Sequence, residues 1–581
     1  MSVHIGISHG HNATVAVLRD GALAFLQSEE RLNRIKNSTG FPAQTLRYVY
    51  DAVCPPQEVS SCTIFSDSWD GFEWLTKHAT PIQYGEYLPK GLELDNDPRI
   101  YSAAIGYREM AKELDKRIAE TLDDGKREEA RRLVASWTGL GPDKIRFANH
   151  HTAHALSCVP FIDTDDDVLI FTLDGAGDYL SSTVWCLRNG TLEILSKSAV
   201  ANSLGFIYRF VTGLLGLKMD EHEYKVMGLA PYAKPSYYQK IVEELHKLLW
   251  VDNSGELRAK YYFFPQTANM LYKIARFERF DNIAGATQQF TEEIMVAWVR
   301  HWVRKTGIRK IACSGGVFMN VKANQAVAAL DEVESCSVVP SCGDESTSIG
   351  CAIYGNSLVS PEVPIRPAAG IYLGRAYDDR EVERAIADTG AAERYHISRP
   401  ADINRVVAEH LARGQVVARC SGRMEFGARA LGNRSILANP AHLETVRFIN
   451  EAVKNRDFWM PFAPSMLADK AGLYLRNGKE LFSPYMMFAF DSTTAGQEKL
   501  VAAMHRYDFT LRAQMVVEDW NPDYYDVIRK FGDLTGVYGV LNTSFNLHGE
   551  PVVCSPGDAI STVDRSGLVY CCIDGYFLEK R

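Results

Sequence analysis

The same succession of strands, loop and turn occurs twice in the N-terminal third of the chain. Residues 5–26 read as an apolar strand, the polar loop SHGHNAT, a second apolar strand, the turn RDG and a third strand. Residues 168–195 repeat that order with the loop DGAGDYLSS and the turn RNG. Asp-Gly and Asn-Gly turns between apolar runs are strong hairpin signals. The repeat therefore predicts two copies of one strand, loop and hairpin unit.

Two such copies suggest a duplicated domain in which the two polar loops meet across a cleft. A cleft of this kind holds the nucleotide in actin-like and sugar-kinase-like folds. Helical patterns lie between and after the copies, at residues 99–120, 126–138 and 284–305. Strands that alternate with helices predict an α/β fold for this part of the chain.

A second domain is expected because 581 residues are too many for a single hydrophobic core. The stretch SLVSPEVPIRPAAG at residues 357–370 contains three prolines and no strong apolar period, which is typical of a linker. We therefore predict domains at residues 1–360 and 361–581. Segments such as QVVARC and VYGVLNTSFN make the second domain α/β as well.

Composition and patterning exclude several classes of protein. The chain has 63 basic and 72 acidic residues and no long basic run, so nucleic acid is not expected as a partner. It shows neither a signal-peptide pattern nor an apolar segment of about 18 residues, so we expect a cytoplasmic protein without a membrane partner. Its twelve cysteines have no CxxC or metal-ribbon spacing and are expected to be reduced and mostly buried.

The segment ANHHTAHALSC carries the first candidates for metal binding. His150 and His154 are four residues apart, which on a helix places both imidazoles on one face, whereas His151 would point away. The glutamate of an HExxH motif is missing. By itself the pattern fits two packed or surface histidines equally well.

Aspartates in two later loops strengthen the metal hypothesis. Asp174 and Asp178 lie in LDGAGD, and Asp344 lies in SCGDES. Two imidazoles with carboxylates and open coordination positions suit Fe(II), Mn or Zn, and a pattern of two histidines and one carboxylate favours iron.

The first polar loop and the segment after it offer catalytic groups. His11 could act as a general base toward a hydroxyl group near neutral pH, with His9 as the local competitor and a loop-capping role as the alternative. The run EERLNRIK is either a solvated helix face or a means of bringing Lys36 into the cleft to hold a phosphate.

The segment KIACSGGVFMN predicts a strand, a Gly-Gly turn and the start of a helix. Gly315 and Gly316 would let backbone amides approach a nucleotide at the helix N-terminus, and we include Asn320, at the end of the segment, among the nucleotide-binding candidates. Taken alone, such a glycine pair usually marks only a turn. The segment DEHEYKVMGLAPY suggests no chemistry and is interpreted as cleft wall.

Cationic side chains cluster in the second domain. Guanidinium groups match phosphate and carboxylate oxygens, so several of them in apolar or glycine-rich surroundings predict an anionic substrate. The candidates are Arg423, Arg429, Arg434, Lys454, Arg456 and Arg512. The segment NTSFNLHGEP adds hydrogen-bonding side chains, for which ordinary Asx and ST turns are the alternative: Asn542, Thr543, Ser544 and Asn546.

Together these segments resemble the O-carbamoyltransferases, a family that includes nodulation-factor and antibiotic-tailoring enzymes. The matching pieces run through nearly the whole chain: HNATVAVL, EERLNRIK, HHTAHA, LDGAGD, EYKVMGLAPY, SGGVFMN, the GDES loop, GRMEFGARALGNRSILANP, VKNRDFWMPFAPS and NTSFNLHGEP. Their number, order and spacing argue against a chance match.

This resemblance implies an N-terminal domain similar to the threonylcarbamoyl-transferase fold of the actin-like (ASKHA) superfamily and a C-terminal domain similar to the carbamoyl-adenylate-forming YrdC fold. It also implies a reaction in two steps. The C-terminal domain would form carbamoyl adenylate from carbamoyl phosphate and ATP, with Mg²⁺ accompanying the ATP. The N-terminal domain would then transfer the carbamoyl group to a hydroxyl of a small-molecule natural product. An enclosed route would limit loss of the reactive anhydride to water.

The resemblance further implies roles for residues that match the family's motifs. The family's iron ligands are matched by His150, His154, Asp174 and Asp344. His11 matches its proposed base, and Lys36 matches its cleft lysine. The carbamoyl-phosphate and ATP positions of the second domain are matched by Arg429, Lys454, Arg512, Asn542 and Ser544.

Three positions depart from the family's pattern. Asn12 stands where aspartate is usual, Ala428 where proline is usual, and Met460 where arginine is common. The last departure would remove one phosphate contact, and Arg456 is the candidate to replace it.

Three other functions are open to a chain of this kind. A tRNA threonylcarbamoyl-transfer protein shares the N-terminal fold but needs a basic surface, whereas this chain has a formal charge of −9 and contains both halves. A non-catalytic actin-like ATP-binding protein would not need the metal and cation sets. A kinase of the same superfamily would transfer the γ-phosphate of ATP. The acceptor is not specified by the sequence, and a homodimer is the default oligomeric state.

Overall fold

The computed structural model describes residues 2–66, 82–83, 124–261 and 264–581. The helix predicted at residues 99–120 lies outside this part of the chain. Two compact units are present, the first comprising Met1–Glu29 and Asn37–Ala368 and the second Glu30–Lys36 and Ala369–Arg581. The second unit is therefore discontinuous in sequence, and both units mix helices with strands.

The first unit contains two five-stranded sheets. Strands β1 to β7 are Val3–Ser8, Thr14–Arg19, Ala22–Ser28, Ser38–Thr39, Ser61–Phe65, Ile82–Gln83 and Ile145–Ala148. Strands β8 to β14 are Val168–Gly177, Leu180–Arg188, Thr191–Ala199, Leu249–Val251, Leu257–Ala259, Lys310–Ser314 and Ser335–Val338. The sheets have the orders β3-β2-β1-β5-β7 and β10-β9-β8-β13-β14. In each, an antiparallel hairpin meander is extended by two parallel strands.

The two hairpin turns form where the sequence predicts them. Asp20 and Gly21 have φ values of 48° and 78°, and Asn189 and Gly190 have φ values of 50° and 72°. Two consecutive residues at positive φ are what a tight hairpin turn requires, which is why Asp-Gly and Asn-Gly occupy these positions.

Helices cover the sheets of the first unit. With one short helix of the second unit, α1 (Glu30–Asn33), included in chain order, helices α2 to α11 are Ala43–Ala52, Asp124–Thr138, His150–Ser157, Leu204–Leu214, Glu223–Leu229, Pro235–His246, Phe264–Ala275, Phe280–Thr306, Val321–Ala328 and Thr347–Val359. The helices predicted at residues 126–138 and 284–305 correspond to α3 and α9.

Helix α11 packs tightly enough to fix the elements that carry the candidate site. A Cβ atom at Gly6 of β1 would lie 1.9 Å from the carbonyl oxygen of Ser348 in α11. A Cβ atom at Gly350 would lie 1.8 Å from the carbonyl oxygen of Ala153 in α4. Only glycine permits these approaches, so the backbone of α11 packs directly against that of β1 and α4.

The second unit is built on an eight-stranded mixed sheet. Strands β15 to β25 are Tyr395–Ser398, Val417–Cys420, Arg434–Ala438, Ala463–Leu467, Leu475–Arg476, Phe490–Ser492, Thr510–Leu511, Gln514–Val516, Gly539–Ser544, Tyr570–Ile573 and Tyr576–Lys580. The large sheet has the order β15-β25-β24-β16-β17-β23-β18-β22. Helices α12 to α18 are Asp379–Asp388, Ala391–Arg394, Ile403–Ala412, Glu444–Ile449, Thr494–Lys499, Pro522–Thr535 and Pro556–Asp564. Fully buried side chains such as Ile436, Leu541 and Phe545 form its core.

Two general expectations from the sequence can be compared with the structure. All twelve cysteines are buried free thiols. Across the described ranges, none of the helices combines the length and the apolar character needed to span a membrane.

Candidate functional site

Four candidate metal ligands come together in the first unit. The ligand atoms of His150, His154, Asp174 and Asp344 all lie within 4.8 Å of one another. The Nε2 atoms of His150 and His154 are 3.1 and 3.2 Å from the same carboxylate oxygen of Asp174. They are 3.7 and 3.8 Å from Oδ1 of Asp344. The fold thus brings residues from an α-helix, a strand and a 3-10 turn to one point.

Helix α4 presents the two histidines. The side chain of Asn149 accepts hydrogen bonds from the N–H groups of His151 and Thr152, which fixes the first turn of the helix. His150 and His154 then share one face. His151 faces the other way, and its Nδ1 lies 2.7 Å from Oγ1 of Thr172, which is the orientation that the spacing predicts.

Neighbouring groups fix the orientation of both rings. Nδ1 of His154 lies 3.1 Å from Oγ of Ser314 and 3.3 Å from Oγ of Ser346, which leaves Nε2 directed at the cluster. The ring of His150 packs over Gly177, where a Cβ atom would be 2.1 Å from the ring. A larger residue at position 177 would displace this imidazole.

The donor set and its spacing fit a divalent metal ion. Bonds from a metal to imidazole nitrogen or carboxylate oxygen are about 2.0–2.2 Å long, so neighbouring ligand atoms on one ion lie roughly 3.0–3.6 Å apart. The pairs made with Asp174 fall within this range, and those made with Asp344 exceed it only slightly. Two imidazoles and two carboxylates would leave two positions open on a six-coordinate ion, whereas they would fill a tetrahedral one.

The four side chains also balance one another's charge. Burial would raise the pKa of Asp174, but hydrogen bonds from His150 and His154 lower it well below its usual value. Burial disfavours the charged form of His154, yet its hydrogen bonds to Asp174 and Asp344 raise its pKa to about 9. A bound cation would take the place of these protons.

Asp178, the second aspartate of the LDGAGD segment, is not part of the cluster. Its Oδ2 accepts hydrogen bonds from the backbone N–H of His150, at 2.7 Å, and from Nδ2 of Asn149, at 3.3 Å. This carboxylate therefore stabilises the N-terminus of α4. The sequence pattern named Asp174 and Asp178 together because both follow the same apolar run, and the family resemblance selected Asp174.

His9, the competitor of His11 in the first loop, is a core residue. Its side chain is buried and stacks on Phe65 with the ring centroids 4.4 Å apart. Burial, with a smaller effect of nearby His150, lowers the pKa of His9 to about 3. A histidine that stays neutral and enclosed is a poor proton acceptor for an external hydroxyl, so His11 is the better candidate base.

Three carboxyl groups near His11 are further candidate site residues, which the sequence did not identify. Burial raises the pKa of Asp220 and of Glu345. Burial and neighbouring Asp220 raise the pKa of Glu223 to about 7. All three groups lie near enough to His11 for a protonated imidazole to oppose the shift, and Asp220 also pairs with Arg209 at 2.9 Å. Asp220 and Glu223 belong to the acidic run DEHEYK, which the sequence analysis interprets as cleft wall. This run was the sequence feature that could have indicated them.

The Gly-Gly turn after β13 lies next to the metal ligands. Gly315 has a φ of 104°, and a Cβ atom there would be 2.4 Å from the carbonyl oxygen of Leu173. Asn320 caps helix α10 by accepting from the N–H of Ala323, and its amide also exchanges two hydrogen bonds of 2.9 Å with Gln288. The Asn320 side chain is thus used in fixing the helix start, while nucleotide binding by Gly315, Gly316 and Asn320 stays a prediction.

Lys454 is the most enclosed cation of the second unit. Its side chain is buried, and Nζ lies 3.1 Å from Oγ of Ser544 and 2.6 Å from Oδ1 of Asn546. Burial, with Arg456 and Lys36 nearby, lowers the pKa of Lys454 well below its usual value. Nζ also donates to the carbonyl oxygen of Asn546 at 3.0 Å, so its direct neighbours are oxygen atoms. Because Arg456 and Lys36 add positive charge near it, an anion would stabilise the cluster, which makes it a candidate phosphate site.

The arginines predicted for the second unit do not all serve one site. Arg434 is buried and donates to the carbonyl oxygens of Cys554 and Ser421, so its role is structural. Arg423 donates to the carbonyl oxygen of Gly374. Arg456 donates to Oγ1 of Thr543 at 3.1 Å.

Arg429 and Arg512 keep partly exposed side chains, which leaves them accessible to an anion. Met460 stands at the position where the family commonly has arginine, and its side chain is buried. Position 460 therefore supplies no cation, and Arg456 remains the candidate to make the missing phosphate contact.

Glu425 organises the loop that carries Arg429, and the sequence did not identify it. One of its carboxylate oxygens accepts hydrogen bonds from the N–H groups of Leu431, Asn433 and Arg434. An acidic residue inside a glycine-rich run is too common to have indicated this role.

Lys36 lies in the second unit and not in the first, where the sequence placed it. The segment Glu30–Lys36 is held there by Arg31, which donates to the carbonyl oxygen of Gly427 at 2.9 Å, and by Arg34, which donates to those of Val552 and Pro551 at 2.7 and 3.0 Å. The charge of Lys36 acts on Lys454. The segment that carries Lys36 thus belongs to the second unit, and a phosphate-binding role of Lys36 stays a prediction.

Comparisons with known proteins agree over most of the chain. It matches the families described as Carbamoyltransferase N-terminus, over residues 4–353, and Carbamoyltransferase C-terminus, over residues 408–580. The nodulation protein NolNO of Sinorhizobium fredii is 30% identical over 98% of this chain and 79% of its own length. The nodulation protein NolO of Bradyrhizobium diazoefficiens is 32% identical over 74% of this chain and 79% of its own length. Full-length HypF, solved in its phosphate- and nucleotide-bound form, is 13% identical with a TM-score of 0.35 over 62% of this chain and 47% of that one, which is too distant to support an argument.

Proposed function

Since this chain belongs to the carbamoyltransferase family, we propose that it is an ATP-dependent O-carbamoyltransferase that forms carbamoyl adenylate in its second unit and transfers the carbamoyl group in its first. Family membership makes it an enzyme that transfers carbamoyl groups. The observation that carries the finer proposal is the presence of two chemically different sites, a cation cluster around Lys454 and a metal-type cluster around His154.

The proposed first step uses the cations of the second unit. Carbamoyl phosphate loses its phosphoryl group to water and yields carbamate and inorganic phosphate. A carbamate oxygen then attacks the α-phosphorus of ATP, a new P–O bond forms, and pyrophosphate leaves with Mg²⁺. Lys454, Arg429 and Arg512 would bind the phosphate oxygens, and Lys36 would add charge to the same cluster. Asn542 and Ser544 would supply hydrogen bonds.

The proposed second step takes place in the first unit. The hydroxyl oxygen of the acceptor attacks the carbamoyl carbon, a C–O bond forms, and AMP leaves. His11 would receive the hydroxyl proton, and the amides of Gly315 and Gly316 would hold the nucleotide. A divalent metal, Fe(II) in this proposal, would be held by His150, His154, Asp174 and Asp344 and would act there as a Lewis acid. We propose a hydroxyl of a small-molecule natural product as the acceptor.

The test is release of pyrophosphate from ATP and Mg²⁺ by the purified full-length protein, without acceptor and with or without carbamoyl phosphate. We expect release only when carbamoyl phosphate is present. Release that ignores carbamoyl phosphate, or no release by folded protein, would contradict the proposal. Transfer of the γ-phosphate to an acceptor would identify a kinase instead.

Two variants test the division of the reaction between the units. Lys454→Met should abolish carbamoyl-phosphate-dependent release, whereas Lys470→Met, which changes a lysine on the surface of the same unit, should not. Asp344→Ala should lower the bound metal content and leave pyrophosphate release largely intact. Equal loss of release in Asp344→Ala and Lys454→Met would refute a reaction with two separate sites.

A further inference from the structure

A pocket on the second unit is lined by residues that take no part in the proposed reaction. Its volume is about 310 Å³, and all but one of the residues that line it are polar or charged. The charged residues are Arg34, Glu550, Asp558 and Arg565, and the residues that carry hydroxyl groups are Ser561 and Thr562. Pockets for small ligands begin at about 300 Å³ and are lined mainly by apolar groups. This lining therefore favours a small and strongly polar ligand.

The two ion pairs of the pocket differ in how closely their partners approach. Arg565 donates to both carboxylate oxygens of Glu550, with Nη2 3.0 Å from Oε2. Arg34 donates through its two Nη atoms to backbone carbonyl oxygens, and its Nε lies 3.6 Å from Oδ1 of Asp558. A distance of 3.6 Å is too long for a hydrogen bond. The pair of Arg34 and Asp558 is therefore open to a ligand that contacts both charges.

The backbone holds one oxygen of the Asp558 carboxylate and leaves the other available. Oδ2 accepts hydrogen bonds from the N–H groups of Cys554 and Ser555 at 3.1 and 2.9 Å. Within the described part of the chain, Oδ1 makes no hydrogen bond, and its contact with Arg34 is the long one. Carboxylate oxygens accept strong hydrogen bonds from ammonium groups. Oδ1 is therefore a well-positioned acceptor for a cationic group.

The charges around the pocket cancel, and this restricts the ligand. Two guanidinium groups and two carboxylates line it, and the hydrogen bonds from Arg565 lower the pKa of Glu550, with a smaller effect of Arg34 in the same direction. An anion would be repelled by the carboxylates and a cation by the guanidinium groups. A zwitterion meets both kinds of group. In an α-amino acid the ammonium and the carboxylate are joined through one carbon atom, which suits a guanidinium and a carboxylate 3.6 Å apart.

One side of the pocket is hydrogen-bonded to the cation cluster. Nδ2 of Asn546 donates to the carbonyl oxygen of Glu550 at 2.7 Å, and Oδ1 of Asn546 accepts from Nζ of Lys454 at 2.6 Å. Arg34 also precedes by two residues Lys36, whose charge acts on Lys454. A ligand that orders Arg34 and Glu550 leaves less ordering to be achieved when an anion binds at Lys454, which produces positive cooperativity.

We propose that this pocket is an effector site for a free α-amino acid, whose carboxylate binds Arg34 and whose ammonium group binds Oδ1 of Asp558. Occupancy raises the affinity of the second unit for carbamoyl phosphate, and Asn546 carries the coupling between the two sites. Binding of the amino acid is independent of the proposed function, whereas its effect on carbamoyl phosphate rests on that function.

Isothermal titration calorimetry on the full-length protein tests the binding. The amino-acid probes are L-alanine, L-glutamine and L-arginine, which share the head group and differ in side-chain length and charge. Acetate and ethylammonium are the probes that carry one charge each. We expect an amino acid to bind, and both single-charge probes to bind at least roughly 10-fold more weakly. Acetate that binds as tightly would assign the pocket to a simple anion, and absence of amino-acid binding would also overturn the inference.

Ser561→Tyr is the blocked variant. Ser561 is an exposed residue of α18, and a tyrosine ring there occupies the pocket without removing any of the four charges. It should abolish binding, whereas Ala387→Tyr, at an exposed position of α12, should bind as the wild-type protein does. Equal binding by the two variants would place the amino acid elsewhere and refute the inference. If Ser561→Tyr does not fold, the single-charge probes on the wild-type protein decide.

The coupling is measured as KM for carbamoyl phosphate in the pyrophosphate assay, with and without the amino acid that binds. We expect KM to fall about fivefold or more in the wild-type protein. In Ser561→Tyr, KM should equal the wild-type value without amino acid and should not respond to its addition. Binding that leaves the wild-type KM unchanged would overturn the effector role. Absence of carbamoyl-phosphate-dependent release in the wild-type protein would contradict the proposed function, while calorimetry would still decide whether the pocket binds an amino acid.

Discussion

At the scale of the residue, Glu223 links the stability of the protein to pH. Burial and the neighbouring Asp220 raise its pKa from 4.5 to about 7. The folded protein therefore binds this proton more tightly than the unfolded chain does. The contribution of Glu223 to stability is complete below about pH 4.5 and is lost as the pH rises toward 7.

We expect Glu223→Gln to be more stable than the wild-type protein at pH 8 and equally stable near pH 4. The gain at pH 8 should be roughly 1–3 kcal/mol, because glutamine removes the charge and keeps the oxygen that accepts from the N–H of Asp220. Urea titrations at pH 4, 6 and 8 measure the free energy of unfolding. Glu243→Gln, at an exposed position, should match the wild-type protein at each pH, and a Glu223→Gln difference that does not change with pH would contradict the prediction.

Single residues also mark the limit of what the sequence could predict about the candidate site. Spacing brought His150 and His154 onto one helix face, and the motifs supplied Asp174 and Asp344. The roles of Asp178 and Glu425 depend on which backbone amides come near their carboxylates. That proximity arises from tertiary packing, which local sequence patterns do not contain.

At the scale of the element, helix α4 depends on its first turn. Asn149 accepts hydrogen bonds from two backbone N–H groups and donates one to Asp178. These contacts hold His150, the first residue of the helix, in the position from which it reaches the cluster.

Asn149→Ala should therefore weaken metal binding as well as the helix. Loss of the cap should lower stability by about 1 kcal/mol, and equilibrium dialysis with Fe(II) or Zn²⁺ should show reduced affinity, because the turn that carries His150 becomes less ordered. Thr493→Ala removes the cap of helix α16 in the second unit and should lower stability similarly without changing metal affinity. Equal affinities in the two variants would show that the cap does not act on the site.

The elements themselves were largely predictable where a local rule decides them. The two hairpins follow from turns that need positive φ, and α9 follows from its apolar period up to Gly307, whose φ is 74°. The short helix α1 was not predictable as an element of the second unit. Its charged run looks like a solvated face, and nothing in it indicates which core it joins.

At the scale of the whole molecule, the segment Glu30–Lys36 is anchored by residues that are distant from it in sequence. Arg34 holds the carbonyl oxygens of Pro551 and Val552, and Leu32 packs against Met424. Removing the guanidinium group of Arg34 should therefore make both the segment Glu30–Lys36 and the backbone at Pro551 and Val552 more mobile.

We expect Arg34→Met to increase hydrogen exchange in peptides that contain residues 30–36 and 550–554. Arg47→Met, which changes an exposed arginine of the first unit, should leave exchange in these peptides as in the wild-type protein. Exchange measured by mass spectrometry checks the prediction without relying on activity. Unchanged exchange in Arg34→Met would mean that apolar packing alone anchors the segment.

The discontinuity of the second unit has a consequence for recombination between related genes. Its residues come from two stretches of the gene, Glu30–Lys36 and Ala369–Arg581, separated by most of the first unit. A single crossover near codon 369 between two related genes would join the long stretch from one parent to the short stretch from the other. Chimaeras that carry both stretches from one parent should keep donor recognition more often. The two stretches should therefore be inherited together, although most of the first unit lies between them in sequence.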